Sequence, residues 1–529
     1  MNASADDARS ALIAGLLHPS AYPHAVTAPI RVAETHISWV LLTGEYAYKV
    51  KKPVHLSFLD YSTLERRRRL CEEEVRLNRR LAPRLYLGVA AIGGTPESPV
   101  LDGGGAPIEY AVRMRQFRPE DELAALLAAT SADQDDLDAL GSAIARFHGE
   151  AEVTTADSAY GQPDGIHRVT LDNLVELRAL PESAAWRERL SDLAAQLSSL
   201  HASLRPLMLR RRAEGRVREC HGDLHCGNVV RWEGRLTPFD GIEFDPALRY
   251  IDVVNDIAFL TMDLAERGHG ALRQAALQAW VEALGDWEGL RLLPYYEAYR
   301  ALVRAKVDGL RALQLAPGSA ARAAAVADCV RYLDWARARL ESRHPTLVIT
   351  CGLSGSGKTW LARRLAARLG ALHVRSDVER KRLAGLTANE SSHSPLDAGI
   401  YSREFNDHTY ARLGECAAAV LASGAAVIVD AAFLRRAERR RFLDLAAAMG
   451  SRATIVHCRA PEAVLRERVA ARHAARSDAS EAGVDVLARQ PGYWEPLEAA
   501  EQAHVAVADT HDPASVAGLL DRLAPATGS

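Results

Sequence analysis

The stretch that most constrains this chain is TLVITCGLSGSGKTWLARRLAARLG, residues 346–370. A short apolar, β-branched run is followed by G-x-x-x-x-G-K-T and then by a helix-forming run. That order, strand then glycine loop then helix, is what a phosphate-cradling loop requires. The glycines let the backbone of Gly352, Ser354, Gly355, Ser356 and Gly357 turn its N–H groups inward on phosphate oxygens. The helix N-terminus adds its dipole. In this arrangement Lys358 reaches the β- and γ-phosphates and the Thr359 hydroxyl faces Mg²⁺.

The residues beyond the loop alternate apolar runs with helices: LHVRS, a long helix near 400–423, AAVIVDA, a helix near 436–449, then ATIVHC. Such alternation predicts an α/β domain with a parallel sheet, over residues 345–529. Asp430 ends the buried run VIVD, where a metal-side carboxylate belongs. Asp377 and Arg380 are three apart at the start of a helix and share one face of its first turn. There Asp377 can take a proton from a substrate hydroxyl, and Arg380 can hold an anionic group. Arg468, Arg472 and Arg476 recur at four on one helix, a row suited to closing over transferring phosphates. Together GLSGSGKT, Asp377-x-x-Arg380, VIVD and the arginine row resemble the small P-loop kinases of the adenylate-kinase-like group. Asp377-x-x-Arg380 is similar to the pattern in polynucleotide 5′-hydroxyl kinases and related small-molecule kinases. The resemblance implies phosphoryl transfer from ATP, with Asp377 as base.

Before a seam near ESRHPT, residues 341–346, the pattern differs. ISWVLLTG and EYAYKVKK read as a hairpin, a helix follows over roughly 62–81, and a strand pair ends in EYAVRMRQF. Beyond about residue 120 helix dominates. The prediction for residues 1–340 is therefore an α+β domain of two lobes, strand-rich then helix-rich.

ECHGDLHCGNVV, residues 219–230, packs Cys220, His221, His225 and Cys226 together. A zinc site needs four ligands converging tetrahedrally, and adjacent side chains on extended chain point apart. The alternative frame is H-x-D-x-x-x-x-N, the spacing of a kinase-type catalytic loop. Asp223 then accepts the substrate hydroxyl's proton and Asn228 faces Mg²⁺. Asp240, in PFDGIEF, stands where a second metal-binding carboxylate belongs. Only six of the 65 basic residues are lysine, so the lysines of EYAYKVKK stand out. Lys49 best fits the nucleotide lysine, with Lys51, two residues on and on the same face, as the fallback. Glu72, Glu73 and Glu74 compete to pair with it; helix phase favours Glu74. Asp256 fits a brace beneath the catalytic loop or a helix cap. These residues resemble the aminoglycoside phosphotransferase and choline-kinase-like branch of the protein-kinase fold, over about residues 30–335. ETHISWV departs from that pattern: it has no glycine where a phosphate-covering loop is expected, and offers Ser38 instead.

The net charge of −3 gives no reason to expect a nucleic-acid or membrane-surface protein. No apolar run is long enough to span a bilayer. The N-terminus is acidic before it is apolar, unlike a signal peptide. Seven scattered cysteines read as reduced thiols in a cytoplasm. The expectation is a bifunctional phosphotransferase using ATP and Mg²⁺ on hydroxyls of small-molecule acceptors. Two alternatives stand beside it. One is a polynucleotide or RNA 5′-hydroxyl kinase in the second half, with a pseudokinase or ligand-sensing first half. The other is a nucleotide-gated regulatory module.

Overall fold

The computed structural model describes residues 3–56, 59–341, 344–388, 390–392, 394, 398–475 and 483–523. Packing divides the chain into two compact units. One holds residues 1–173 and 205–267; the other holds 174–204 and 268–529. The division by packing thus falls elsewhere than the seam in sequence pattern: the helices of 268–341 pack in the unit that carries the P-loop.

In the first unit a six-stranded antiparallel sheet runs in the order 31–34, 38–42, 46–51, 109–115, 86–95, 98–101. Its hairpin Ser38–Leu42 and Tyr46–Lys51 pairs Val40 with Lys49 and Ser38 with Lys51. Three strands, 86–95, 98–101 and 109–115, stand where a pair was expected. Helix Leu64–Asn78 begins at Thr63, whose side chain accepts from the Arg66 N–H. Cys71 and Val75 bury against Ala47, Tyr86, Val112 and Phe239. That fixes the helix phase and turns Glu74 inward. Glu72 pairs with Arg68 outside, and Glu73 pairs with Arg76 and Arg249. The competition among the three glutamates is decided by the apolar stripe.

The second unit contains a five-stranded parallel sheet in the order 372–375, 427–430, 346–351, 452–459, 505–509. Helix Lys358–Leu369 buries Leu361 and Leu365 in a core with Val348, Ile428, Val456 and Leu519. The edge strand Leu372–Arg375 does not face water as a bare ladder. The Gln278 side chain accepts from the His373 N–H at 2.8 Å and donates to the His373 carbonyl at 2.9 Å. An amide side chain from helix Gly270–Leu284 thereby takes the place of a neighbouring strand, one way of blunting an edge. Trp287 donates to Glu379 at 3.0 Å, and Arg412 and Arg382 hold the same buried carboxylate. All seven cysteines are buried and unbridged. Among the described residues no helix is long and apolar enough to cross a membrane.

Candidate active sites

In the first unit the catalytic-loop segment is stitched to the segment that carries Asp240. His221 Nε2 meets the Phe239 carbonyl at 2.9 Å, and the Ile242 N–H donates to the His221 carbonyl at 3.0 Å. The Phe239 N–H donates to the Asn228 carbonyl at 2.9 Å. The segment carrying Asp223 and Asn228 is thus held beside the segment carrying Asp240. Asn228 Nδ2 donates to Asp223 Oδ2 at 2.9 Å. Both carboxylates are part-exposed: the side chains of Asp223, which also lies 3.5 Å from His225 Nε2, and Asp240 keep 36% and 40% of their surface. Asp240 sits at φ 61°, a left-handed conformation that a non-glycine residue adopts at some cost. Its N–H is held by the Tyr86 hydroxyl at 3.0 Å.

Asp256 braces the loop from below, accepting from the N–H of His221 at 3.0 Å, from that of Gly222 at 2.9 Å, and meeting His148 at 3.0 Å. Burial alone would raise its carboxyl, but these partners hold it at about 2. It therefore acts as a fixed anion. Gly222, at φ 86°, passes so close to Leu248 that a Cβ would lie 2.8 Å from its carbonyl oxygen. The four residues of the metal frame face separate partners, Cys226 lying on Asp263. Cys220 Sγ lies on the Ile251 carbonyl, His221 on Phe239, and His225 accepts from the Gly227 N–H. His148, Cys220 and Asp256 do approach one another, fully buried, but Asp256 is already consumed as the brace.

Lys49 donates to Glu74 Oε1 at 2.9 Å and to Asp240 Oδ1 at 2.5 Å. Burial pulls its ammonium down, but Asp240 and Glu74 hold it well above its ordinary value. Ser38 is fully buried opposite Lys51 in the hairpin.

In the second unit the loop 352–357 wraps tightly. Gly355 has φ 81°, and a Cβ there would meet the Leu465 carbonyl oxygen at 2.5 Å. The Ser356 hydroxyl is buried and has no protein partner, an orphan that a phosphate oxygen or hydrated ion would satisfy. Ser354 offers its N–H to Gln490 Oε1 at 2.7 Å. The Lys358 ammonium rests on the carbonyls of Gly352 and Leu353, at 3.0 and 2.8 Å. Burial holds it below its ordinary value; Asp430 and Asp377 oppose that shift and Arg472 adds to it. These four charged side chains therefore share one field. Asp430 accepts from the Thr350 hydroxyl at 3.2 Å and meets His373 at 3.3 Å. Burial would raise its carboxyl, but His373, Thr359 and Lys358 hold it at about 2.

Two residues of this half stand differently from the sequence expectation. The terminal nitrogens of Arg380 already bond the Ile400 carbonyl and Asn406, each at 2.8 Å, so two of its five N–H donors are spent within the chain and fix the guanidinium. Arg468 bonds the Gly355 carbonyl at 3.3 Å and Thr510 at 2.9 Å, which makes it a support of the loop. Arg476 lies outside the described residues. Sequence reading missed Tyr61, Glu243, Asp263, Gln278 and His373. Asp263, which holds the Cys226 N–H at 2.9 Å, comes 37 residues later on a helix with no motif of its own.

The donor sets suit a magnesium–nucleotide complex. Hard oxygen ligands (Asp240, the Asn228 amide, Thr359 and Asp430) stand beside an ammonium in each site. The loop 352–357 packs so closely on Cys458, Leu465 and Thr510 that a Cβ at Gly352, Gly355 or Gly357 would collide with them.

The family model described as AAA domain matches residues 347–497. The chain is 33% identical over 470 residues to the uncharacterized protein Rv2004c of Mycobacterium tuberculosis, covering 88% of this chain and 91% of that protein. It belongs to the same family as that protein. Among solved structures, a choline/ethanolamine kinase family protein from Mesorhizobium loti is similar over 63% of this chain and 99% of its own, at 14% identity and a TM-score of 0.36. A gluconokinase from Sinorhizobium meliloti 1021 is similar over 35% of this chain and 95% of its own, at 22% identity and a TM-score of 0.25.

Proposed function

We propose that the chain carries two ATP-dependent phosphotransferase sites, each moving the γ-phosphate of ATP to a hydroxyl of a small molecule. One observation carries the reading: the same three parts are assembled twice on unrelated folds. In each half a lysine stands with two carboxylates, one of which we assign to the metal and the other to the base. They are Lys49, Asp240 and Asp223 in one, and Lys358, Asp430 and Asp377 in the other.

Mg²⁺, where bound, would supply positive charge that offsets the charge developing on the transferring phosphoryl group. The chain's own residues do the rest. Asn228 and Asp240 hold the metal side of the first site; Thr359 and Asp430 hold that of the second. Lys49 and Lys358 lie along the phosphates. Asp223 and Asp377 orient the acceptor hydroxyl and accept its proton. Phosphoryl transfer asks mainly for positioning and charge neutralisation, so pre-formed clusters suffice.

The test is ADP release from full-length protein over a panel of sugars, aminoglycosides, nucleosides and oligonucleotide 5′ ends. Asp223→Asn removes one set of accepted acceptors and Asp377→Asn the other. If either variant keeps full turnover on every acceptor, that base is misassigned. Turnover confined to oligonucleotide ends in the second site would favour an end kinase there.

A further inference from the structure

The strand Tyr46–Lys51 brings two lysines to Glu74, not one. Glu74 Oε1 takes Lys49 at 2.9 Å, and Oε2 takes Lys51 at 2.5 Å. Lys51 also pairs with Glu243 and lies 3.2 Å from the Tyr61 hydroxyl, which donates to the same Glu243. Its ammonium stands 4.9 Å from the centre of the Tyr61 ring. Glu243 follows Asp240 by three residues, so one short segment grips both lysines.

The two ion pairs differ in access. Lys51 and Glu74 are fully buried and Glu243 nearly so. Lys49 keeps 12% of its side chain exposed and Asp240 40%. The outer pair, Lys49 with Asp240, is open to exchange with an incoming phosphate and metal. The inner group is closed. A carboxylate bonded at one oxygen only can swing to follow its lysine. Bonded at both, Glu74 is fixed in plane and azimuth, and presents Oε1 as a stationary anchor. Lys51 also keeps one positive charge between Glu74 and Glu243 at the moment Lys49 turns toward phosphate.

We propose that Lys51, Glu243 and Tyr61 are positioning residues for the first site, holding Glu74 so that Lys49 can exchange Asp240 for phosphate without losing its place. The inference rests on the phosphotransferase reading of that site. A buried ion cluster that only stabilises the lobe is the competing explanation, and the two differ in whether the cluster acts through Lys49.

The test uses full-length protein carrying Lys358→Ala, so that ADP release from MgATP reports the first site. The charge-neutral double variant Lys51→Met/Glu243→Gln removes both members of the inner pair and avoids stranding either charge. It is expected to lower kcat/KM on the order of 30-fold, the size of effect that a modest misplacement produces. In a Lys49→Met background the same double variant is expected to cost less than about twofold more, since its effect is already spent. Losses that multiply in the two backgrounds, or an unchanged kcat/KM, overturn the inference. Tyr61→Phe keeps every charge and supplies the same cycle, at about threefold, if the double variant melts below assay temperature; no loss from it then overturns the inference equally. If Lys49→Met alone leaves ADP release unchanged, the phosphotransferase reading of the site has failed, a result distinct from the others.

Discussion

The two sites solve one electrostatic problem in opposite ways. Lys49 is buried among carboxylates and its ammonium is held well above its ordinary value. Lys358 rests on two backbone carbonyls and burial keeps it below its ordinary value. The first site is organised by side chains: Glu74 and Asp240 hold Lys49, Asp256 holds the backbone of His221 and Gly222, and Asn228 holds Asp223. The second is organised by backbone, a glycine loop whose shape leaves no room for a Cβ at Gly355. A site of the first kind is broken by removing a charge; one of the second kind is broken by adding a methyl group.

The largest effects follow from the base carboxylates. Asp223→Asn and Asp377→Asn are each expected to lower one activity about 10³-fold and leave the other within about twofold, measured as ADP release per acceptor. An equal fall in both activities would erase the distinction between the sites. Next comes the contrast in fragility. Gly355→Val forces a side chain against Leu465 and is expected to abolish nucleotide binding at the second site, read by titration with a non-hydrolysable analogue. Glu74→Gln, which leaves Lys49 and Lys51 facing a neutral amide, is expected to weaken the first site on the order of 100-fold in kcat/KM. A smaller effect is expected at the sheet edge. Gln278→Ala bares the His373 N–H and carbonyl and is expected to cost about 1–3 kcal/mol of stability, read as a lower melting temperature of the full chain. Because Gln278 belongs to the packing of the second unit, a fragment starting at residue 345 lacks this clamp and is a poor substitute for the whole protein.

The smallest effect is the acid response. Glu74, Asp256 and Asp430 all have folded values lowered to about 2. Carboxylates depressed in this way stabilise the fold above their unfolded values near 4 and lose that contribution as pH falls toward 2. Melting temperature is therefore expected to be flat in this respect from neutrality to about pH 5 and to fall steeply below pH 4. Neutralising one such carboxylate, as in Glu74→Gln, should reduce the steepness.

What the sequence made legible was local. The loop 352–359 announces itself because its glycines, lysine and threonine must be neighbours in the chain. His221, Asp223 and Asn228 are legible for the same reason. Glu74 could be picked from three glutamates by its helix phase with Leu81, seven residues on, and in the fold Cys71 and Val75 bury on that side. The inner lysine cluster was not legible, since Tyr61 and Glu243 are 182 residues apart and meet only in the folded lobe. Arg380 was legible as a residue facing the first turn, but its capture by Ile400 and Asn406 depends on a helix more than twenty residues on. The packing division near 174, 204 and 268 leaves no mark either; Gln278 and Trp287 look like ordinary helix-surface residues until the edge strand and Glu379 are beside them.

The central claim is that one polypeptide holds two complete magnesium–nucleotide sites. Calorimetric titration of the full-length protein with a non-hydrolysable ATP analogue and Mg²⁺ tests it most directly. The account predicts two equivalents bound per chain, falling to one in Lys358→Ala. A single equivalent in the unaltered protein, or a stoichiometry that Lys358→Ala does not change, would contradict it.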